Sequence, residues 1–318
     1  VAVFMAMASL IKAASDAVPP GQAVFFRSAF AVPVILIWLV ATRGLGAGLA
    51  TRNPLGHFWR GLMGTAAMGF GFAGLGLLPL PEVTAIGYAA PLLTVVFAAM
   101  FLGETVRAFR IFAVALGLAG VLIVLSPRLT ALRSGQIGAE EALGAIVVLV
   151  GAVFAALAQV FVRRLVDEEK TSAIVFYFSV NSALLSLVTL PFGWAMPDAG
   201  AAAMLVTAGL LGGVGQVLLT SSYRHADASV IAPFEYASML MAIAVGYLVF
   251  GEVPGRAVLA GAVLVVAAGI LIIWRESALG IILFLARLLS LDESVIEAAK
   301  IDGANWWHRL WHIILPEM

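Results

Sequence analysis

The sequence predicts an all-α integral membrane protein: ten transmembrane helices in two inverted five-helix repeats, followed by a cytoplasmic helical extension. Three observations predict it. Hydrophobic residues make up 63% of the 318 positions and charged residues only 11%, whereas soluble domains average roughly a quarter charged. The apolar residues gather into ten stretches near the span length of about 20 residues that a helix needs to cross a bilayer. Motifs of the first half also return in the second at a single offset of 148 residues.

The ten stretches are 1–18, 21–42, 57–78, 81–102, 108–126, 143–165, 172–194, 199–222, 227–250 and 255–274. Turn formers or charge interrupt them at Pro19-Pro20-Gly21, Pro79-Leu80-Pro81, Gly103-Glu104 and Asp167-Glu168-Glu169-Lys170. A backbone in lipid must satisfy its hydrogen bonds internally, so each stretch is expected to be a helix. The 148-residue offset maps Gly61 and Gly64 onto Gly209 and Gly212, Tyr88-Ala89 onto Tyr236-Ala237, and Gly103-Glu104 onto Gly251-Glu252. Five spans per copy is an odd number, so the second copy must enter the membrane in the opposite sense. The expected units are residues 1–127, 143–275 and 276–318. With the first residue cytoplasmic, Arg43, Arg52, Arg60, Arg107, Arg110, Arg163, Arg164, Lys170, Arg224 and Arg275 face inward. Only Arg27, Arg128, Arg133 and Arg256 face outward, an excess of ten to four that predicts cytoplasmic termini.

Several classes of function are disfavoured. The net charge of +0 gives no reason to expect a nucleic-acid partner. With no cysteine, disulfides, thiol catalysis and cysteine-metal sites are excluded. No phosphate-binding loop, zinc-protease, hydrolase-elbow or paired-carboxylate motif is present, so neither catalysis nor a cofactor is expected. His308 and His312 share a helical face, but no third ligand lies nearby and no metal is predicted.

Two stretches point to a family. They are Thr84-Ala85…Tyr88-Ala89-Ala90-Pro91-Leu92…Phe101-Leu102-Gly103-Glu104 and Tyr223-Arg224-His225-Ala226…Ala232-Pro233-Phe234-Glu235-Tyr236…Phe250-Gly251-Glu252. Together they resemble the EamA signature of the drug/metabolite transporter superfamily, over about residues 1–275. Within that superfamily the chain resembles the YddG-like exporters of the bacterial inner membrane. The resemblance implies ten helices in two inverted halves around a central cavity. It also implies export of aromatic amino acids or similar amphiphilic compounds by alternating access.

Polar groups deep inside spans are the first candidates for such a cavity. Lys12 needs a carboxylate or an aqueous cavity, or must reach the interface with its long stem. Glu235 lies well inside the ninth stretch, where desolvation opposes its charge, and is a candidate proton-coupling or substrate-ammonium group. Its neighbour Tyr236 and the repeat-related Tyr88 can each stack and donate a hydrogen bond. Gln159, Tyr177, Asn181, Gln216 and Tyr223 complete the set; the amides among them are equally suited to holding helices together. Glycines crowd the third and eighth stretches, allowing close packing or sliding. Pro33, Pro91 and Pro233 lie inside stretches that they are expected to kink.

The end of the chain belongs to a different pattern. Glu297-Ala298-Ala299, three residues, Gly303, nine residues, then Ile313-Ile314-Leu315-Pro316 resembles the EAA loop of ABC-importer permeases. The resemblance implies that Glu297, Ala298, Ala299 and Gly303 dock on an ATPase subunit. One helix is expected from Glu293 to Asp302, with Gly303 as a left-handed cap, and an apolar one from Ala304 to Leu315 with Trp306, Trp307 and Trp311. The two patterns together lead us to expect a chimera of two transport machines. A natural permease subunit is the alternative, disfavoured because further spans would have to follow the EAA segment.

Overall fold

In a computed structural model, the described residues are 1–42, 44–103, 108–134, 139–225, 228–289, 297, 299–309 and 311. Side chains are described for all of these except 45, 47, 102, 110, 128–134, 139, 167, 223–225, 228–236, 272–273 and 275–289. Regular structure among the described residues is helical: α1 Ala2–Ala13, α2 Pro20–Ala29, α3 Ala31–Thr42, α4 Leu45–Leu49, α5 Pro54–Leu77, α6 Leu80–Gly87, α7 Ala89–Leu102, α8 Ala108–Ser134, α9 Ala139–Glu168, α10 Thr171–Ser186, α11 Ala199–His225, α12 Ala228–Phe250 and α13 Arg256–Leu289. Five helical stretches among the described residues are long and apolar enough to cross a membrane: Pro20–Thr42, Leu80–Phe101, Glu140–Val166, Thr171–Phe192 and Ala199–Ser222. Shorter apolar helices cover Ala2–Ala13, Ile111–Pro127, Ala237–Phe250 and Arg256–Leu271.

Proline sets both starts and interruptions. Pro20, Pro54 and Pro81 occupy first-turn positions, where a missing N–H costs nothing. Inside a span, proline instead strands the carbonyl four residues earlier. The helix accordingly breaks at Phe30 ahead of Pro33 and at Tyr88 ahead of Pro91. Ahead of Pro191, α10 tightens into a 3₁₀ turn over Leu187–Phe192. The expected kinks at Pro33 and Pro91 are therefore full interruptions, whereas α12 continues through Pro233.

The structure divides into two compact units, Val1–Ile270 and Leu271–Met318. In the first, α5 packs most extensively on α9, and α1 on α11; α10 packs on both α5 and α2, and α11 on α2 and α3. One apolar core gathers Ile86, Tyr88, Val121, Leu125, Val148 and Val265. Another gathers Met5, Ile11, Val24, Phe72, Leu75 and Leu205. In the second unit Gly303 has φ +80°, the left-handed conformation expected of a helix-ending glycine. The amide of Ala304 donates to Ala299 O at 2.9 Å, closing that end. Asn305 then caps the turn Trp306–Arg309, its Oδ1 accepting from the His308 amide at 2.9 Å.

Candidate functional site

Two arginines lie buried inside the first unit. Arg27 of α2 is 3% exposed and Arg60 of α5 is 7% exposed. Both guanidinium groups lie near the ring of Phe178 on α10, with Cζ 5.5 Å from its centroid for Arg27 and 3.8 Å for Arg60. Arg27 Nη2 donates to Gln216 Oε1 on α11 at 3.4 Å, and Gln216 Nε2 donates to Thr220 Oγ1 at 3.4 Å. The remaining buried guanidinium atoms, Nε and Nη1 of each arginine, have no hydrogen-bond partner among the described residues. No ion pair among the described residues includes either arginine.

Glycine makes room for both charges. A Cβ on Gly64 would fall on Arg60 Nη1 and lie 2.5 Å from Phe178 Cε2. A Cβ on Gly212 would lie 3.0 Å from Arg27 Nε. Flanking contacts hold the helices in register. Gly61 packs against Asn181, Thr65 Oγ1 meets Ser182 Oγ at 2.8 Å, and Gly209 packs against Phe30.

These positions correct the expectation that Arg27 and Arg60 are loop charges. Each lies within a helix and is buried, so neither is a topology signal. One drops from each side of the count, and the excess on the side expected to be cytoplasmic is unchanged. The overlooked signal is their position: Arg27 stands between Phe26 and Ser28 inside an apolar stretch, where charge usually marks function.

Of the sequence candidates whose side chains are described, Gln216 is the one hydrogen-bonded to this cluster. Tyr177 donates to Leu49 O at 3.0 Å and rests its ring 4.8 Å from that of His57. Asn181 Nδ2 donates to His57 O at 3.1 Å, joining α10 to α5. Tyr88, at the α6–α7 break, hydrogen bonds Ser238 at 2.6 Å. Gln159 is half-buried on α9. Lys12 pairs with Glu252 at 3.0 Å and donates to Leu75 O and Leu78 O at 3.0 and 2.8 Å. The side chains of Tyr223, Glu235 and Tyr236 lie outside the described residues, as does Ala298. Glu297 is exposed, and Ala299 is buried within the second unit.

At the helix ends, Glu169 binds the start of α5. Its Oε1 accepts from Thr51 Oγ1 at 2.8 Å and from the amides of Arg52 and Asn53 at 2.6 and 2.9 Å. Burial alone would raise this carboxyl, but those three hydrogen bonds, helped by His57, outweigh it and hold the pKa below its ordinary value of about 4.5. An acid depressed by folding stabilises the folded state above its unfolded pKa, and that stability is lost as pH falls through the folded value. The melting temperature in detergent is therefore expected to fall as pH drops below about 4.5. Glu169→Gln should lose roughly 1–3 kcal/mol at neutral pH and show a flatter acid limb. An unchanged acid limb in Glu169→Gln would assign the loss to another group.

Bilayer-length apolar helices with buried charge between them define a polytopic membrane protein. The chain belongs to the EamA-like transporter family, whose model matches residues 1–126 and 142–274. It is a transporter and not an enzyme. A model for solute carrier family 35 also matches residues 84–192. A model for the binding-protein-dependent transport system inner membrane component matches residues 236–318. The chain is similar to the pseudopaline exporter of Pseudomonas aeruginosa, with 31% identity over 83% of this chain and 90% of that protein. It is 27% identical to an S-adenosylmethionine uptake transporter of Rickettsia bellii, over 80% of this chain and 84% of the relative. A riboflavin transporter of Rhizobium johnstonii is 28% identical over 82% and 83% of the two chains. One crystal structure superposes with a TM-score of 0.63 at 21% identity, covering 85% of this chain and 94% of that one, a likeness of fold.

Proposed function

We propose that this chain is a secondary transporter of the bacterial inner membrane. In this reading it exports small amphiphilic metabolites, aromatic amino acids among them, by alternating access between two inverted five-helix halves. The observation that carries the reading is the buried cluster of Arg27, Arg60, Phe178 and Gln216. It draws two helices from each half, and transporters built from inverted repeats hold substrate at that junction. Paired contacts favour the repeat: α5 packs on α9 as α11 packs on α1, and Gly61 and Gly64 meet α10 as Gly209 and Gly212 meet α2. The family match over two successive segments favours it too. The relatives include both exporters and uptake systems, so direction rests on the exporter resemblance. Both termini are cytoplasmic in this reading, from the excess of inward Lys and Arg.

Proteoliposomes loaded with labelled tryptophan are expected to exchange it without ATP, and more slowly after Gln216→Leu. No exchange of any aromatic or amphiphilic compound would remove the reading.

The match to residues 236–318 favours a second role for the C-terminal unit, docking on an ABC-transporter ATPase subunit. It supports reading the chain as a chimera, with a permease subunit as the alternative. Gly303, at φ +80°, tolerates few side chains, and Trp306, Trp307 and Trp311 are exposed. Capture of an importer-type nucleotide-binding subunit is expected, and Glu297→Ala or Gly303→Trp should abolish it. Capture that survives Gly303→Trp rules out this mode of docking.

A further inference from the structure

We infer that Arg27 and Arg60 form the anion seat of the transport site, so that the transported compound carries a carboxylate held between the two guanidinium groups. This rests on the transporter reading and deepens it. The argument is one of unbalanced charge. A guanidinium stays ionised and offers five fixed donors, and taking it out of water costs several kcal/mol unless those donors and its charge are answered. Here two cations share one aromatic ring, each almost wholly buried, and no described carboxylate faces either.

The neighbours present do not answer them. Stacking on Phe178 returns only about 0.5–2 kcal/mol and leaves the donors in the guanidinium plane unused. Gln216 answers one donor of Arg27, at the long distance of 3.4 Å. Nε and Nη1 remain on both arginines. A carboxylate has two oxygens and about four acceptor sites, matching the fork of an arginine better than any neutral group.

The fold also gives up side chains to keep this arrangement. Gly64 and Gly212 stand where any larger residue would press on Arg60 or Arg27. They are the same pair that the 148-residue repeat relates. A cation placed only for packing would not need clearance from both halves. Phe178 and the unoccupied donors set the ligand class: a small acid with an apolar or aromatic body.

The test uses purified full-length protein and two isosteric probes, 3-phenylpropionate and its neutral amide. The acid is expected to raise the melting temperature in a concentration-dependent manner, and the amide is not. Arg60→Gln and Arg27→Gln should each weaken the response to the acid by about 100-fold, the size of one lost charge-assisted bond. Arg60→Lys, which keeps the charge, should retain part of the response, and Arg256→Gln, at an exposed position, all of it. The acid–amide comparison on unaltered protein needs no variant, so a misfolded substitution does not decide the question. Equal stabilisation by acid and amide, or an undiminished acid response in Arg27→Gln and Arg60→Gln, overturns the inference. Exchange of neutral aromatic compounds with no preference for acids would sink the anion seat while leaving the transporter intact. Absence of all exchange would sink the transporter reading itself.

Discussion

Replacing Gly64 with leucine is expected to abolish the folded, monodisperse protein in detergent. A Cβ at this position would fall on Arg60 Nη1 and lie 2.5 Å from a Phe178 ring carbon. Neither group can yield easily, since each is packed against the other. Overpacking by one methyl costs about 1–3 kcal/mol, so Gly64→Ala should lower the melting temperature by roughly 5 °C. A leucine adds three further carbons to the same space, and its cost is a large part of the 5–15 kcal/mol that holds a typical protein folded. The control lies in the same helix. No atom of the described residues stands within 4 Å of a Cβ on Gly69 or Gly71, so alanine there should be neutral or stabilising by up to about 1 kcal/mol through helix propensity. Equal melting temperatures for Gly64→Leu and Gly69→Leu would mean that the α5–α10 contact does not limit stability.

The second large effect is expected at Lys12. Its ammonium spends all three donors, on Glu252 Oε1, Leu75 O and Leu78 O. The other oxygen of Glu252 accepts from the Leu80 amide at 2.8 Å. A cation thus sits at the C-terminal end of α5 and an anion at the N-terminal end of α6, each on the favourable side of its helix dipole. This one pair ties α1, α5, α6 and the segment after α12. Removing one partner of a buried pair costs about 3–5 kcal/mol, and with side chains 13% and 16% exposed the figure here is nearer 2–3 kcal/mol. Lys12→Met should show that loss, and Lys12→Met with Glu252→Leu should recover much of it. If the pair also holds this end shut, a cysteine at Ser15 should react faster with an impermeant thiol reagent in Lys12→Met than in its Lys12 parent. The chain has no cysteine of its own, so the reporter is unique. Additive losses in the double variant would show that the two residues do not act as a pair.

The Lys12 contact shows where sequence reasoning reaches and where it stops. That Lys12 needs a carboxylate, an aqueous cavity or the interface followed from its depth in the first stretch, and the structure answers it with a carboxylate. Which carboxylate did not, because Glu252 lies 240 positions away and read as an ordinary helix end. Asn181 and Tyr177 were marked as polar groups inside a span, and they are, but their partners are backbone carbonyls of His57 and Leu49. Arg27 and Arg60 were counted as loop charges, and each lies inside its helix, within eight residues of the start. Their burial depends on α10 and α11 folding over them.

The sequence by itself determined the apolar helical character of the chain, the left-handed turn at Gly303 and the repeat of Gly61 and Gly64 at Gly209 and Gly212, whereas of its three expected proline kinks two are breaks and the helix runs on through the third. These follow from local physics: a chain in lipid must close its own backbone hydrogen bonds, and proline cannot take part. Only the tertiary structure decided that two arginines, a phenylalanine and a glutamine from four helices would share one buried space. A side chain's partners across a bundle are fixed by how helices pack, and periodicity within one helix carries no record of its neighbours' register.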